Sequence, residues 1–165
     1  MNELPATPGT YALHLHLSQP VLLSVGRLGE FTFPAGEYVY LGSAFSSGGL
    51  RARLGRHLRG DGNPHWHIDT LRVNAIVQSY HYVEQTSRAS AQEPFPLECQ
   101  WSQALASSNQ TRLPVPGFGA SDCRAGCPAH LVAFVGEDQP SFNIWIADFL
   151  SAQSPNYRLN SHLMR

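Results

Sequence analysis

The stretch YVYLGSA at residues 38–44 decides how the chain is read. Tyr38, Val39 and Tyr40 favour an extended, half-buried strand, and Gly42-Ser43 ends the run at a residue that lets the backbone turn tightly. A strand that stops this way can present the Tyr40 hydroxyl and nearby donors to one spot. A short loop later comes LRARLGRHLR, residues 50–59. Leu50, Leu54 and Leu58 recur there at helical spacing, and the preceding SAFSSGG offers serine and glycine to start the helix. A β-run that gives way to an arginine-rich helix makes the junction a candidate active site.

Working outward, TYALHLHL at 10–17 sets Tyr11, Leu13, Leu15 and Leu17 on one face against Ala12, His14 and His16 on the other. This is the pattern of a half-buried strand. VLLSVG, GEFTF and EYVYLG follow at short intervals with turn residues between them, so the first forty residues read as an antiparallel meander. Beyond the basic helix, DGNP is a stop and HWHIDTL a short helix or turn. VNAIVQSYHYV is a strand, and PFPLECQWSQALAS a helix with Leu97, Trp101 and Leu105 at i, i+4 and i+8. A proline- and glycine-rich loop spans 114–122, AHLVAFV is read as the last strand, and SFNIWIADFL as a terminal amphipathic helix. The tail after Pro155 is expected to fray. Strands and helices mix without regular βαβ alternation, which gives an α+β domain.

The 165 residues favour one domain with a sizeable core, and the 42% apolar content is ordinary for a globular protein. The start, MNELPATPGTY, lacks a basic segment followed by an apolar one, and no run approaches bilayer length, so a cytoplasmic protein without a membrane partner is expected. The net charge of −1 excludes a molecule that is basic all over, so any nucleic-acid binding must be local. All eleven lysine-plus-arginine positions are arginine, whose planar fork suits phosphate. Four of them, Arg51, Arg53, Arg56 and Arg59, fall in the candidate helix. Three cysteines make a disulfide framework a poor reading, and reduced thiols are expected.

The order GTY at 9–11, YLG at 40–42 and LRARLGRH at 50–57 resembles the GIY-YIG nuclease superfamily over most of residues 8–135. FPAGEYVYLGSA, RHLR, HWHID, LECQW and GFGASDC resemble a poorly characterised GIY-YIG-like branch, sometimes fused to endonuclease III-type repair enzymes. The resemblance implies a small mixed, largely antiparallel sheet flanked by helices, with residues 1–136 forming the GIY-YIG-like domain and 137–165 a C-terminal extension packed on it. It also implies DNA phosphodiester hydrolysis with one Mg or Mn ion, and a DNA-repair protein as partner. Carried over by position, the motif tyrosines are Tyr11 and Tyr40, the helix arginine is Arg53, the histidine four residues on is His57, and the metal-binding glutamate is Glu98. Threonine and leucine replace the two motif isoleucines, and the long span between Tyr11 and Tyr40 implies an added strand pair.

Chemistry read from the same residues points the same way. Phosphodiester hydrolysis needs an activated water, charge stabilisation on the phosphoryl oxygens and help for the leaving oxygen. Arg53 and His57 lie at i and i+4 beside the leucine stripe, where they border the core. Arg51, Arg56 and Arg59 suit plain backbone binding, with Ser43 at the strand end beside them. The bland alternative is a solvated helix face. Tyr11 and Tyr40 bring two hydroxyls together if their strands pair; a free phenol has a pKa of roughly 10, so without a cation they orient water or phosphate. Glu98 can present one carboxylate to a hard cation, or be an ordinary exposed acid.

Two further patterns carry residue types that ligate metal. In HWHID, His65, His67 and Asp69 could ligate zinc or touch substrate, but a hydrogen-bonded turn anchored by Trp66 and Ile68 is the expected reading. Cys123-x3-Cys127-x2-His130, beside Asp122, is compact but lacks a second pair; Cys99 is the one candidate for a fourth ligand, and buried or idle thiols are expected in place of zinc. The sequence therefore leads to a DNA endonuclease or phosphodiesterase, with a non-catalytic nucleic-acid-binding or partner-docking module as the alternative.

Overall fold

The computed structural model describes residues 3–90, 94–135 and 142–165. The alternating run after Pro8 becomes strand β1 (Gly9–Leu17), followed by β2 (Val21–Ser24), β3 (Glu30–Phe33) and β4 (Gly36–Ala44). Helices α1 (Gly49–Arg59) and α2 (His67–Arg72) come next, then β5 (Ile76–Glu84) and α3 (Leu97–Ala106). The chain finishes with β6 (Thr111–Arg112), β7 (Leu131–Phe134), α4 (Phe142–Ala152) and β8 (Asn160–Leu163). Six strands form one open sheet in the order β6-β7-β4-β1-β5-β8. All of its pairings are antiparallel. This is an α+β architecture with helices on both faces. The expected boundary at residues 136 and 137 lies outside the described residues, as does Ser141 at the start of the expected last helix.

The period-2 pattern sorts side chains into two cores. Tyr11, Leu13, Leu15, Tyr38 and Tyr40 face Leu50 and Leu54 of α1 and Ile68 and Leu71 of α2. Ala12, Val39, Leu41 and Val83 face Leu97, Trp101 and Leu105 of α3 and Phe142, Ile146 and Leu150 of α4. β1 is therefore covered on both sides, which corrects the half-buried reading. Its polar face is satisfied internally: the Glu37 carboxylate accepts from His14 and from His16 Nδ1 at 2.6 Å, and His14 Nδ1 meets Asn143 Oδ1 of α4 at 2.7 Å. These hydrogen bonds outweigh the opposing effect of burial and hold the Glu37 carboxyl below its usual range.

Two more expectations need correction. The meander is not continuous, because among the described residues β2 and β3 pair only with each other, in a separate two-stranded sheet. β1 instead pairs directly with β4, so the hairpin is the insertion that the long Tyr11–Tyr40 span implied. The tail after Pro155 does not fray: β8 adds to β5, and His162 stacks on Tyr80 and Tyr82 with ring centroids 4.9 and 5.9 Å apart. An unpaired β5 edge offers backbone groups that a following segment can satisfy.

The start of α1 is tied to the chain ahead of β1. The Leu50 amide donates to Thr7 O at 3.0 Å and the Arg51 amide to Pro5 O at 2.8 Å, which satisfies donors that a helix N-terminus otherwise leaves open. A Cβ on Gly49 would meet Thr7 O at 2.3 Å, so this approach requires glycine. At the other end, Arg72 of α2 donates to His57 O at 2.9 Å and Leu58 O at 3.3 Å. Both ends of the basic helix are thus anchored.

Candidate active site and an adjoining cysteine cluster

β1 and β4 set the two motif tyrosines side by side. Tyr11 is in register with Gly42 and Leu13 with Tyr40, and the two tyrosine rings lie 6.5 Å apart. His57 of α1 closes the triangle, 5.8 Å from the Tyr11 ring and 6.0 Å from the Tyr40 ring. Gly42 explains why the tyrosine motif ends in glycine: a Cβ there would sit 2.4 Å from Tyr11 Cζ.

These rings line a polar pocket of about 100 Å³, together with Arg53 and with Glu98 of α3. The five expected catalytic residues thus meet at one place, from β1, β4, α1 and α3. Ser43 lines it too, and its carbonyl accepts from Arg53 Nη1 at 2.7 Å. Trp66 lies flat beneath two guanidinium groups, with Arg53 4.5 Å and Arg56 4.8 Å from the ring centroid. Arg53 is fixed by a hydrogen bond and a cation–π contact before any ligand arrives.

The other expected phosphate-binding arginines are engaged in different ways. Arg56 is a fork on the Asp69 carboxylate, at 3.0 and 3.1 Å, and also reaches Asn63 O at 2.7 Å. Asp69 thus captures it on the face that it shares with Arg53 at i and i+3. Arg51 ties down the chain ahead of β1 through Leu4 O at 2.9 Å and Glu3 at 3.1 Å. Arg59 makes an exposed pair with Asp61 at 2.8 Å.

HWHID forms a hydrogen-bonded turn into α2, as the sequence suggested. Asp69 accepts from the backbone amides of His65 at 2.7 Å and Trp66 at 2.9 Å. Burial alone would raise its pKa, but Arg56 and these amides hold it below the ordinary value. His65 packs its ring on Trp66 at 4.7 Å, and His67 Nδ1 accepts from the Gly119 amide at 2.9 Å. The three side chains do not converge on a point, and among the described residues they form no metal-holding group.

Burial sets the protonation states in the pocket. It pushes Tyr11 well above the ordinary phenol value, with Tyr40 adding to the shift, and it pushes Tyr40 up as well. Both are hydroxyls at neutral pH. Burial lowers His57 to about 4 against the opposing pull of Asp69, whose Oδ1 lies 3.7 Å from Nδ1. That imidazole is neutral and its Nδ1 has no hydrogen-bond partner among the described residues.

Sequence reasoning missed Arg88, whose Nη2 donates to the buried Glu98 Oε1 at 2.5 Å. Asp122, Cys123 and His130 also line the pocket. A cavity of about 490 Å³ adjoins it, sharing Arg88, Asp122 and Cys123 and adding Phe95 and Arg124. The thiols of Cys99, Cys123 and Cys127 and a ring nitrogen of His130 all lie within 4.8 Å of one another. The three thiols are free, as expected, and they are gathered in one cluster. Only the folding of the 107–130 segment over α3 brings Cys99 to the other three, and no local spacing signals it.

An antiparallel α+β sheet with its polar pocket at the β1–β4–α1 junction is the class these features define. The profile of the family described as "Domain of unknown function DUF123" matches residues 10–151, and the chain belongs to that family. No curated protein and no solved structure matches it. Among the described residues, no helix is long and apolar enough to cross a membrane.

Proposed function

We propose that the chain is a divalent-metal-assisted DNA endonuclease or phosphodiesterase of the GIY-YIG type, working in DNA repair. The observation that carries this reading is the convergence of Tyr11, Tyr40, Arg53, His57 and Glu98 on one pocket. A core requirement explains a buried tyrosine or leucine, but not a neutral histidine, a pre-held arginine and a buried glutamate facing the same space.

The donor set fits a hard cation, since Glu98, the two phenols and the exposed Asp122 all offer oxygen. Glu98 would hold the ion, Mg or Mn, which would supply Lewis-acid stabilisation of phosphoryl charge. Arg53, fixed by Ser43 O and Trp66, stabilises the charge that develops on the phosphate. Tyr11 and Tyr40 donate hydroxyl hydrogen bonds to the phosphate or the attacking water. Neutral His57 takes the proton that water loses as its oxygen bonds to phosphorus, and the ester oxygen departs with the electron pair of the broken P–O bond and takes a proton from solvent. Phe95, Arg88 and Arg124 in the adjoining cavity offer an aromatic face and positive charge for the flanking strand.

The Arg88–Glu98 pair favours a second reading, a nucleic-acid-binding or docking module without turnover, because it already neutralises the carboxylate. Incubation with nicked, branched and single-stranded DNA, with and without Mg or Mn, separates the two. The enzyme reading expects metal-dependent products from wild type and none from Arg53→Ala or Glu98→Gln. Binding without cleavage under either metal would establish the second.

A further inference from the structure

We propose that Cys99, Cys123, Cys127 and His130 form a closed structural zinc site that staples α3 to the loop ahead of β7. All three cysteines of the chain are in this cluster. Cys99 sits in the first turn of α3, Cys123 and Cys127 flank a turn at Gly126, whose φ is +76°, and His130 immediately precedes β7. Their four candidate donor atoms lie within 4.8 Å of one another.

The spacing has the size that zinc requires. Tetrahedral zinc with Zn–S bonds of about 2.3 Å places two sulfurs about 3.8 Å apart. Cys99 Sγ and Cys123 Sγ are 3.6 Å apart, well beyond the S–S bond of about 2.0 Å in a disulfide. Three thiols and an imidazole are soft-to-borderline donors that select zinc over magnesium or calcium. With four protein ligands no open position remains, which is the composition of a structural centre.

Two independent observations point to an ion. His130 Nε2 is buried with no hydrogen-bond partner among the described residues, a cost that ligation would remove. Outer groups are also in place: Gln103 Nε2 lies 3.9 Å from Cys127 Sγ and donates to Ala125 O at 3.3 Å. Such outer hydrogen bonds orient metal ligands.

The site has a consequence for the neighbouring pocket. Glu98 precedes Cys99 in the chain and Asp122 precedes Cys123, so one ion would fix both carboxylates from behind while remaining separate from any ion they hold. Zinc binding itself does not depend on the nuclease reading.

The test is the metal content of the full chain purified without chelator or histidine tag, with thiol titration of the native protein. About one zinc per chain is expected, with the three thiols protected until a chelator is added, and a cobalt-substituted protein with the visible absorption of tetrahedral thiolate-bound cobalt. Cys127→Ser and His130→Ala should lower zinc content and thermal stability together. If these variants do not fold, the wild-type cobalt spectrum alone decides. Metal-free protein with three freely reactive thiols, or an intact mass that reveals a Cys99–Cys123 disulfide, overturns the proposal.

Discussion

Tyr11 lies over its register partner Gly42 so closely that a Cβ on the glycine would sit 2.5 Å from the tyrosine hydroxyl. The tyrosine of the first motif and the glycine of the second are therefore one packing unit, and the ring has its position only because the facing residue has no side chain.

Gly42→Ala should consequently destabilise the fold by about 1–3 kcal/mol, the range for an overpacked core, and displace the Tyr11 ring from the pocket. Urea unfolding of Gly42→Ala, Tyr11→Leu and the double variant gives the coupling. The loss at Gly42 should shrink in the Tyr11→Leu background. Strictly additive losses would show that the contact is not what glycine serves.

Arg53 and Arg59 stand on one helix in opposite circumstances. Arg53 is held by Ser43 O and the Trp66 face, whereas Arg59 is exposed beside Asp61. Arg53→Ala should abolish turnover with the fold intact, and Trp66→Leu should lower kcat by removing the platform. Arg59→Ala should weaken DNA binding and reduce the slope of log affinity against log salt by about one unit. Equal effects on affinity alone from Arg53→Ala and Arg59→Ala would remove Arg53 from the active site.

Most of this site was legible because its residues announce themselves locally. Tyr11, Tyr40 and the Arg53/His57 pair each belong to a short pattern whose period fixes the face on which they lie. The fold was legible to the same depth: the strand of Tyr11 and the helix of Leu50 follow from alternation and spacing. What failed depends on contacts far apart in sequence. β8 has its only signal in the edge it covers, and Arg88 is a lone arginine in a loop until α3 places Glu98 beside it. The hydrogen-bonded turn at Asp69 follows from HWHID itself, but the ion pair of Asp69 with Arg56, thirteen residues earlier, does not.

Buried neutral histidines should make stability fall on mild acidification. His81, bonded to Ser161 Oγ at 2.8 Å, is lowered to about 4 by burial, with His14 and His162 adding to the effect. His57 is also lowered to about 4, chiefly by burial. Because each folded value lies below that of the unfolded chain, about 6.5, the unfolded state binds more protons between the two. Their contribution is full above pH 6.5 and is lost as pH falls toward 4, by up to about 1.4 kcal/mol per pH unit for each histidine. Urea midpoints measured from pH 7 to 4.5 should show this fall, and His81→Gln should lessen the slope by about one proton. A variant slope equal to that of wild type would mean that His81 already titrates normally in the folded protein.

Arg88 and Glu98 provide the sharpest test of the catalytic reading. The guanidinium lies 2.5 Å from a carboxylate that is itself buried, so an arriving divalent ion competes with a charge already in place. Glu98→Gln keeps the shape and removes the charge, and should suppress metal-dependent cleavage by orders of magnitude. DNA binding should persist, or tighten as repulsion between carboxylate and phosphate is removed. Arg88→Gln should act in the opposite sense on the ion, lowering the Mg or Mn concentration for half-maximal cleavage, while it weakens DNA binding through the loss of a cation. Cleavage rates across a metal titration, set beside DNA affinities of the same proteins, read both effects. If Arg88→Gln leaves the metal dependence unchanged while Glu98→Gln cleaves like wild type, Glu98 holds no catalytic ion, and its pairing with Arg88 is simply a structural bond between α3 and the loop before it.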